Sequence, residues 1–192
     1  MTKIVLIETL AAQPENQLQS TLTSQGVDLV VVTQTSDGLV ELVNKHEPDV
    51  LVISATFVDA AMLDQLIKVN EACPLPVAVF AKQSTNEILE TAISAGVDSY
   101  VIDDTQAHRV PTIIDLSIAR FKQMHRLAEE LEQTKEKLTE RKLIERAKGI
   151  IMQQKNLSED QAYGQMRKSA MNQGQSMAEL SRRVISVFEM LN

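Results

Sequence analysis

The side chains with chemistry to offer lie toward the C-terminal end of the chain. Arg141, Lys142, Arg146 and Lys148 fall on one predicted helix, Arg167 and Lys168 on the next, and Tyr163 comes between them in sequence. Guanidinium and ammonium groups in such a run neutralise phosphates, and a tyrosine ring can stack one unpaired base for about 1–3 kcal/mol. Lys148, beside Gly149, is the expected leading phosphate contact. A glycine inside a helix costs about 0.5–1 kcal/mol relative to alanine and usually permits close approach of another backbone, here the third helix or a nucleic-acid loop. Each of these residues also has a plainer reading. The cations can form a solvated helix face, Tyr163 can pack in the core beside Met166, and Arg182 and Arg183 can serve nucleic-acid binding or solubility. No catalytic set accompanies them. His46, His108 and His125 are scattered, Cys73 is the sole cysteine, and no glycine loop is spaced to cradle a phosphate, so neither an enzyme, a metal site nor a cofactor is expected.

Three short helices must position these residues. The first carries Ile144, Ala147 and Ile150 or Ile151 at helical spacing. The second opens on Ser158-Glu159-Asp160-Gln161 and the third on Ser176-Met177-Ala178-Glu179. Both are capping boxes, in which the residues at either end satisfy each other's backbone amides. An apolar comb of Met177, Leu180, Val184, Ile185 and Phe188 completes the third helix. For Ala147, Ile151, Met166, Leu180 and Val184 the core reading dominates. The link Asn172-Gln173-Gly174-Gln175 also suits a DNA-binding helix-turn-helix. The last helix argues against that, because Arg182 and Arg183 are its only basic residues and its apolar face looks inward.

Charge is divided along the chain. Of the 192 residues, 1–134 hold 8 Lys+Arg against 19 Asp+Glu, a net −11, and 135–192 hold 11 against 7, a net +4. An acidic body with a basic end is the asymmetry expected when one part alone meets phosphates. The single cysteine suits a reducing compartment. The N-terminal apolar run is too short for a signal peptide, and no apolar stretch approaches the roughly 20 residues of a membrane span. A soluble cytoplasmic protein is expected.

Upstream, short apolar runs at 3–8, 27–33, 49–54, 77–81 and 97–102 alternate with helical patterns at 17–25, 37–45, 60–72 and 85–95. Near-continuous apolar strands alternating with amphipathic helices predict a parallel sheet covered on both faces. The expected fold is α/β plus all-α: a flavodoxin-like domain over 1–110 with strand order 2-1-3-4-5, a linker helix over 111–140, and a three-helix module over 141–192. After Pro111 there is no proline, and no glycine until Gly149. Residues 112 to about 154 are thus expected to form one helix roughly 64 Å long at ~1.5 Å per residue. Phe121, Met124, Ala128 and Leu131 form the strongest part of an imperfect 4-3 seam, the pattern of a parallel dimeric coiled coil. The alternative is a helix packed back on its own domain.

The run Ala147-Lys148-Gly149-Ile150-Ile151-Met152, the pair Ala162-Tyr163 and the segment Met166-Arg167 to Ala170-Met171 resemble the ANTAR module, an RNA-binding three-helix domain of bacterial antiterminators. The five-fold alternation resembles a response-regulator receiver, but the residues at its phosphoryl-transfer positions depart from that pattern. Strand one ends in the single carboxylate Glu8. Ser54 stands where the acceptor Asp is expected, Ala81 where a Thr or Ser is expected, and Asp103 where a Lys is expected. Tyr100, at the switch-aromatic position, is kept. An acyl phosphate needs a carboxylate, and Mg²⁺ needs a cluster of oxygen ligands, so a pseudo-receiver is expected. Asp59 lies in the following loop and is poorly placed to substitute.

The whole arrangement resembles the AmiR/NasR family, in particular its nitrate-assimilation branch, with Ala107-His108-Arg109 and Ile118-Ala119-Arg120-Phe121 adding to the likeness. The resemblance implies binding to stem-loops of a leader mRNA as a homodimer, and sequestration by a nitrate- or nitrite-sensing partner with a binding-protein fold. The competing classes are a protein–protein adaptor, whose helical end docks a partner helix, and a DNA-binding response regulator with a degenerate receiver.

Overall fold

The computed structural model describes residues 2–9, 17–24, 27–33, 37–102 and 107–191. The described elements are β1 (Lys3–Glu8), α1 (Gln17–Ser24), β2 (Asp28–Thr33), α2 (Leu39–His46), β3 (Val50–Ala55), α3 (Ala60–Ala72), β4 (Val77–Ala81), α4 (Asn86–Ser94) and β5 (Ser99–Ile102). A short 3₁₀ turn (Ala107–Arg109) precedes α5 (Val110–Lys155), α6 (Glu159–Asn172) and α7 (Met177–Leu191). The chain divides into two compact units, residues 1–125 and 126–192, with the boundary inside α5.

The first unit is a five-stranded parallel sheet of order β2-β1-β3-β4-β5, as the sequence predicts. β1 shows why its strands read as unbroken apolar runs. Ile4, Val5, Leu6 and Ile7 are all fully buried, yet their side chains alternate between faces. Val5 and Ile7 join Leu39, Leu51, Ile53 and Leu66 in one core layer. Ile4 and Leu6 join Leu22, Val52, Phe80, Val110 and Ile114 in the other. Burying each such side chain stabilises the fold by roughly 1.5–3 kcal/mol, and both layers depend on the same strand. The first turns of α5 belong to this unit, since Val110 and Ile114 close the second layer. Arg120 Nη1 also donates to the Asp98 carbonyl at 3.2 Å.

Local signals set the element ends. Asp59 caps α3 by accepting from the Met62 amide at 2.8 Å, which occupies the carboxylate that was a poor phosphoryl acceptor on sequence grounds. Gly96 ends the α4 turn at φ +88°, where an added Cβ would lie 2.7 Å from Asn70 Cγ. That position needs glycine for backbone and for space.

The second unit packs the last third of α5 against α6 and α7. Ala147, Met166, Ala170, Leu180 and Ile185 form its buried centre, with Leu143, Ile144, Ile150, Ile151, Met177 and Val184 packed around them. Both capping boxes form. Ser158 Oγ accepts from the Gln161 amide at 3.3 Å while Gln161 Oε1 accepts from the Ser158 amide at 3.1 Å. Ser176 and Glu179 repeat the exchange at 3.1 and 2.7 Å. Among the described residues no helix is long and apolar enough to cross a membrane.

Candidate nucleic-acid interface

The cations singled out in the sequence separate into two groups once the helices are packed. Arg141 and Lys142 on α5 and Arg167 and Lys168 on α6 are exposed. Among the described residues none of the four has an ion-pair partner. Arg146 is exposed but engaged, its guanidinium 2.6 Å from Glu189 Oε1 on α7.

Lys148 differs from all of these in that its ammonium is both buried and ion-paired twice within the protein. Its side chain is only 10% exposed, and Nζ lies 2.6 Å from both Glu145 Oε2 and Glu159 Oε1. The hydrogen bonds that Lys148 donates to these two carboxylates hold the ammonium above its ordinary pKa, and the same contact holds the Glu159 carboxyl below the usual carboxylate range. Glu159 opens α6, where the helix dipole also favours a negative charge. Lys148 therefore ties the start of α6 to α5, with its charge already matched within the protein. A short-range sequence pattern foretells the Glu145 contact, three residues away on the same helix face. The Glu159 contact arises only from how α5 and α6 pack.

Tyr163 is 47% exposed, so its ring is not the core packing element beside Met166, which is itself buried. Arg167 follows it by four residues on α6 and so lies on the same face. The pair places a stacking surface and a cation within one helical turn. For Gly149, one of the two expected neighbours falls away. An added Cβ there would meet nothing within 4 Å, so the third helix does not require the glycine.

At the receiver-like sheet, the register places Ser54 beside Glu8 across β3 and β1, and Ala81 beside Ala55 across β4 and β3. Glu8 is the carboxylate at the end of β1, and partial burial raises its pKa. No carboxylate occupies the Ser54 position. Asp103 lies outside the described residues.

Along α5, Met124, Leu127, Leu131 and Leu138 are exposed, at 65, 46, 57 and 53%. The sequence seam contains Met124 and Leu131 but omits Leu127, which a spacing of three from Met124 and four from Leu131 places on the same side. Phe121, the seam's aromatic residue, stacks on His125 with ring centroids 4.9 Å apart.

Known proteins resemble both parts of the chain. The ANTAR domain family matches residues 132–185. The transcriptional regulatory protein PdtaR of Mycobacterium tuberculosis is 25% identical over 181 residues, covering 94% of this chain and 88% of that protein. The nitrate regulatory protein of Klebsiella oxytoca is 38% identical over 65 residues, which cover 34% of this chain and 16% of that protein. In fold, the first unit is similar to the receiver domain of a modulated diguanylate cyclase from Desulfovibrio desulfuricans (TM-score 0.55, 19% identity, 65% of this chain and 98% of that one). It is likewise similar to a CheY-like receiver domain from Methanospirillum hungatei (TM-score 0.54, 13% identity, 65% and 99%). Residues 132–185 therefore match the ANTAR domain family, and the α/β unit that precedes them in sequence has a receiver-like fold.

Proposed function

We propose that this chain is an RNA-binding antitermination regulator that grips hairpin loops in a leader transcript. The observation that carries the reading is on α6: an exposed Tyr163 one turn from an exposed Arg167, with Lys168 beside it and Arg141 and Lys142 on α5. Loop bases of RNA are unstacked and open to aromatic side chains, and their phosphates attract arginine and lysine. Arg146 and Lys148 act behind this surface, by holding α7 and α6 to α5 through Glu189 and Glu159.

The exposed apolar side of α5 supports a parallel coiled-coil dimer between residues 111 and 140, which delivers two ANTAR modules of residues 141–192 to two hairpins. With Ser54 in place of the acceptor carboxylate, control falls to a protein partner rather than to a phosphoryl group. The likeness to the nitrate-assimilation antiterminator NasT, supported by the nitrate regulatory relative, points to a cytoplasmic nitrate- or nitrite-sensing protein of binding-protein fold as that partner.

The test is binding of the full chain to a two-hairpin leader RNA, compared with the same RNA after its loops are scrambled. Binding that weakens at least tenfold on scrambling is expected. Equal binding to both RNAs sinks the reading, and leaves charge attraction or an adaptor role.

A further inference from the structure

A groove of about 520 Å³ runs between the end of α5 and α7, lined by Ile150, Ile151, Val184, Val187 and Phe188 with Gln154, Lys155 and Arg183 at its polar edge. Its floor is apolar, and no carboxylate lines it. The cations at the edge are held by neutral amides: Lys155 Nζ lies 3.3 Å from Gln165 Oε1, and Arg183 Nη1 lies 2.8 Å from Gln173 Oε1. This is the opposite of Lys148 and Arg146, whose charges are matched by Glu159 and Glu189. The groove therefore keeps a cationic edge around an apolar slot, with Arg183 also within electrostatic reach of Glu179. Val187 is 52% exposed and takes no part in the buried centre of the unit.

We propose that this groove is a second base-binding subsite, which takes one extruded loop base against Ile151, Val187 and Phe188 while Lys155 and Arg183 hold the flanking phosphates. The inference rests on the RNA-binding reading above and adds where a base goes. Charge complementarity selects the occupant: an anionic backbone carrying an apolar-faced ring satisfies both the edge and the floor, and Gln154 adds an amide able to read a base edge. The groove also continues the cationic surface. Gln165, which holds Lys155, stands one turn from Lys168 on α6. A strand whose phosphates cross Lys168 and Lys155 thus reaches the slot.

The test uses a two-hairpin RNA enriched by the wild-type full chain from a pool with randomised loops, then resynthesised with an abasic site at each loop position in turn. If the pool yields no enriched RNA, the RNA-binding reading itself fails. The subsite predicts that one abasic position weakens wild-type binding by roughly 5- to 150-fold, the range for one lost base contact. Val187→Trp, which fills the slot from an exposed position, is expected to weaken the intact RNA by a similar factor while keeping the salt dependence. In that variant the same abasic position should cost nothing more. An abasic penalty of equal size in Val187→Trp and wild type overturns the proposal, as does one that vanishes in Tyr163→Ala instead. Lys155→Gln, on the exposed edge, provides the second variant: it should flatten the salt slope without moving the melting temperature, and an unchanged slope counts against the subsite. If Val187→Trp lowers the sedimenting mass of the free chain, the groove holds a second copy and the proposal is wrong.

Discussion

Replacing Lys148 and replacing the pair Arg167 and Lys168 should have opposite signatures, although all three are cations of the same module. Counterion release makes the slope of log affinity against log salt fall by ~0.7 for each phosphate contact on single-stranded nucleic acid. The double variant Arg167→Ala/Lys168→Ala removes two exposed cations that have no described ion-pair partner, and so should flatten the slope by about 1.4. Between 50 and 200 mM salt, a fourfold change, that amounts to a roughly sevenfold smaller loss of affinity. The fold should be untouched. Lys148→Met keeps the buried aliphatic stem but removes an ammonium already matched by two carboxylates at 2.6 Å. Its salt slope should equal that of the wild type. What should change is the tie between α5 and α6, seen as a lower melting temperature and faster amide exchange in the first turns of α6. Glu145 and Glu159 are 55 and 67% exposed, so water screens them once their partner is gone. The assay is fluorescence anisotropy of a labelled two-hairpin RNA over a salt series, with circular-dichroism melts of each variant. A Lys148→Met protein that melts like the wild type yet shows a slope flattened by about 0.7 refutes the assignment of Lys148 as a tie.

Tyr163→Ala should weaken RNA binding by about 1–3 kcal/mol and leave the melting temperature unchanged, because the ring is exposed; a destabilised protein would place the ring in the core after all. Ser158→Ala removes one arm of the α6 capping box and should lower unfolding free energy by about 0.5–2 kcal/mol, measured by urea denaturation. Met124→Asp with Leu131→Asp should convert a dimer to a monomer in sedimentation velocity, and an unchanged mass would exclude the α5 seam as the interface. Burial raises the Asp98 carboxyl pKa, against the lowering effects of the Val77 amide and Arg120. The folded state therefore binds the proton more readily than the unfolded one, so the charged form detracts from stability at neutral pH and the loss is recovered as pH falls through the folded and then the unfolded value. Asp98→Asn keeps an oxygen for the Val77 amide, which Asp98 accepts at 2.9 Å. Its stability relative to wild type should be highest near neutrality and decline on acidification; a difference that grows with acid would reverse the sign of the argument.

What the amino-acid order settled alone was whatever depends on neighbours a few positions apart. Strand identity follows from runs such as 3–8, because a strand buried on both faces has to be apolar throughout. The capping boxes at Ser158 and Ser176 join residues three apart, and the continuity of α5 follows from the absence of proline after its first turn. The ANTAR likeness rests on short contiguous motifs and was equally readable. The state of each cation was not, because it depends on which helix lies opposite. Lys148 and Lys142 look alike in sequence, but a net rotation of about two-thirds of a turn about α5 turns one toward Glu159 and the other toward solvent. On α6 a rotation of about 100° left Tyr163 exposed one position after a buried Ala162. The packing of α7 along the end of α5 opened a groove from residues that, read in one dimension, belonged to the core. Periodicity gives the angle between residues on one helix, and only the packing of the three helices fixes where that angle starts.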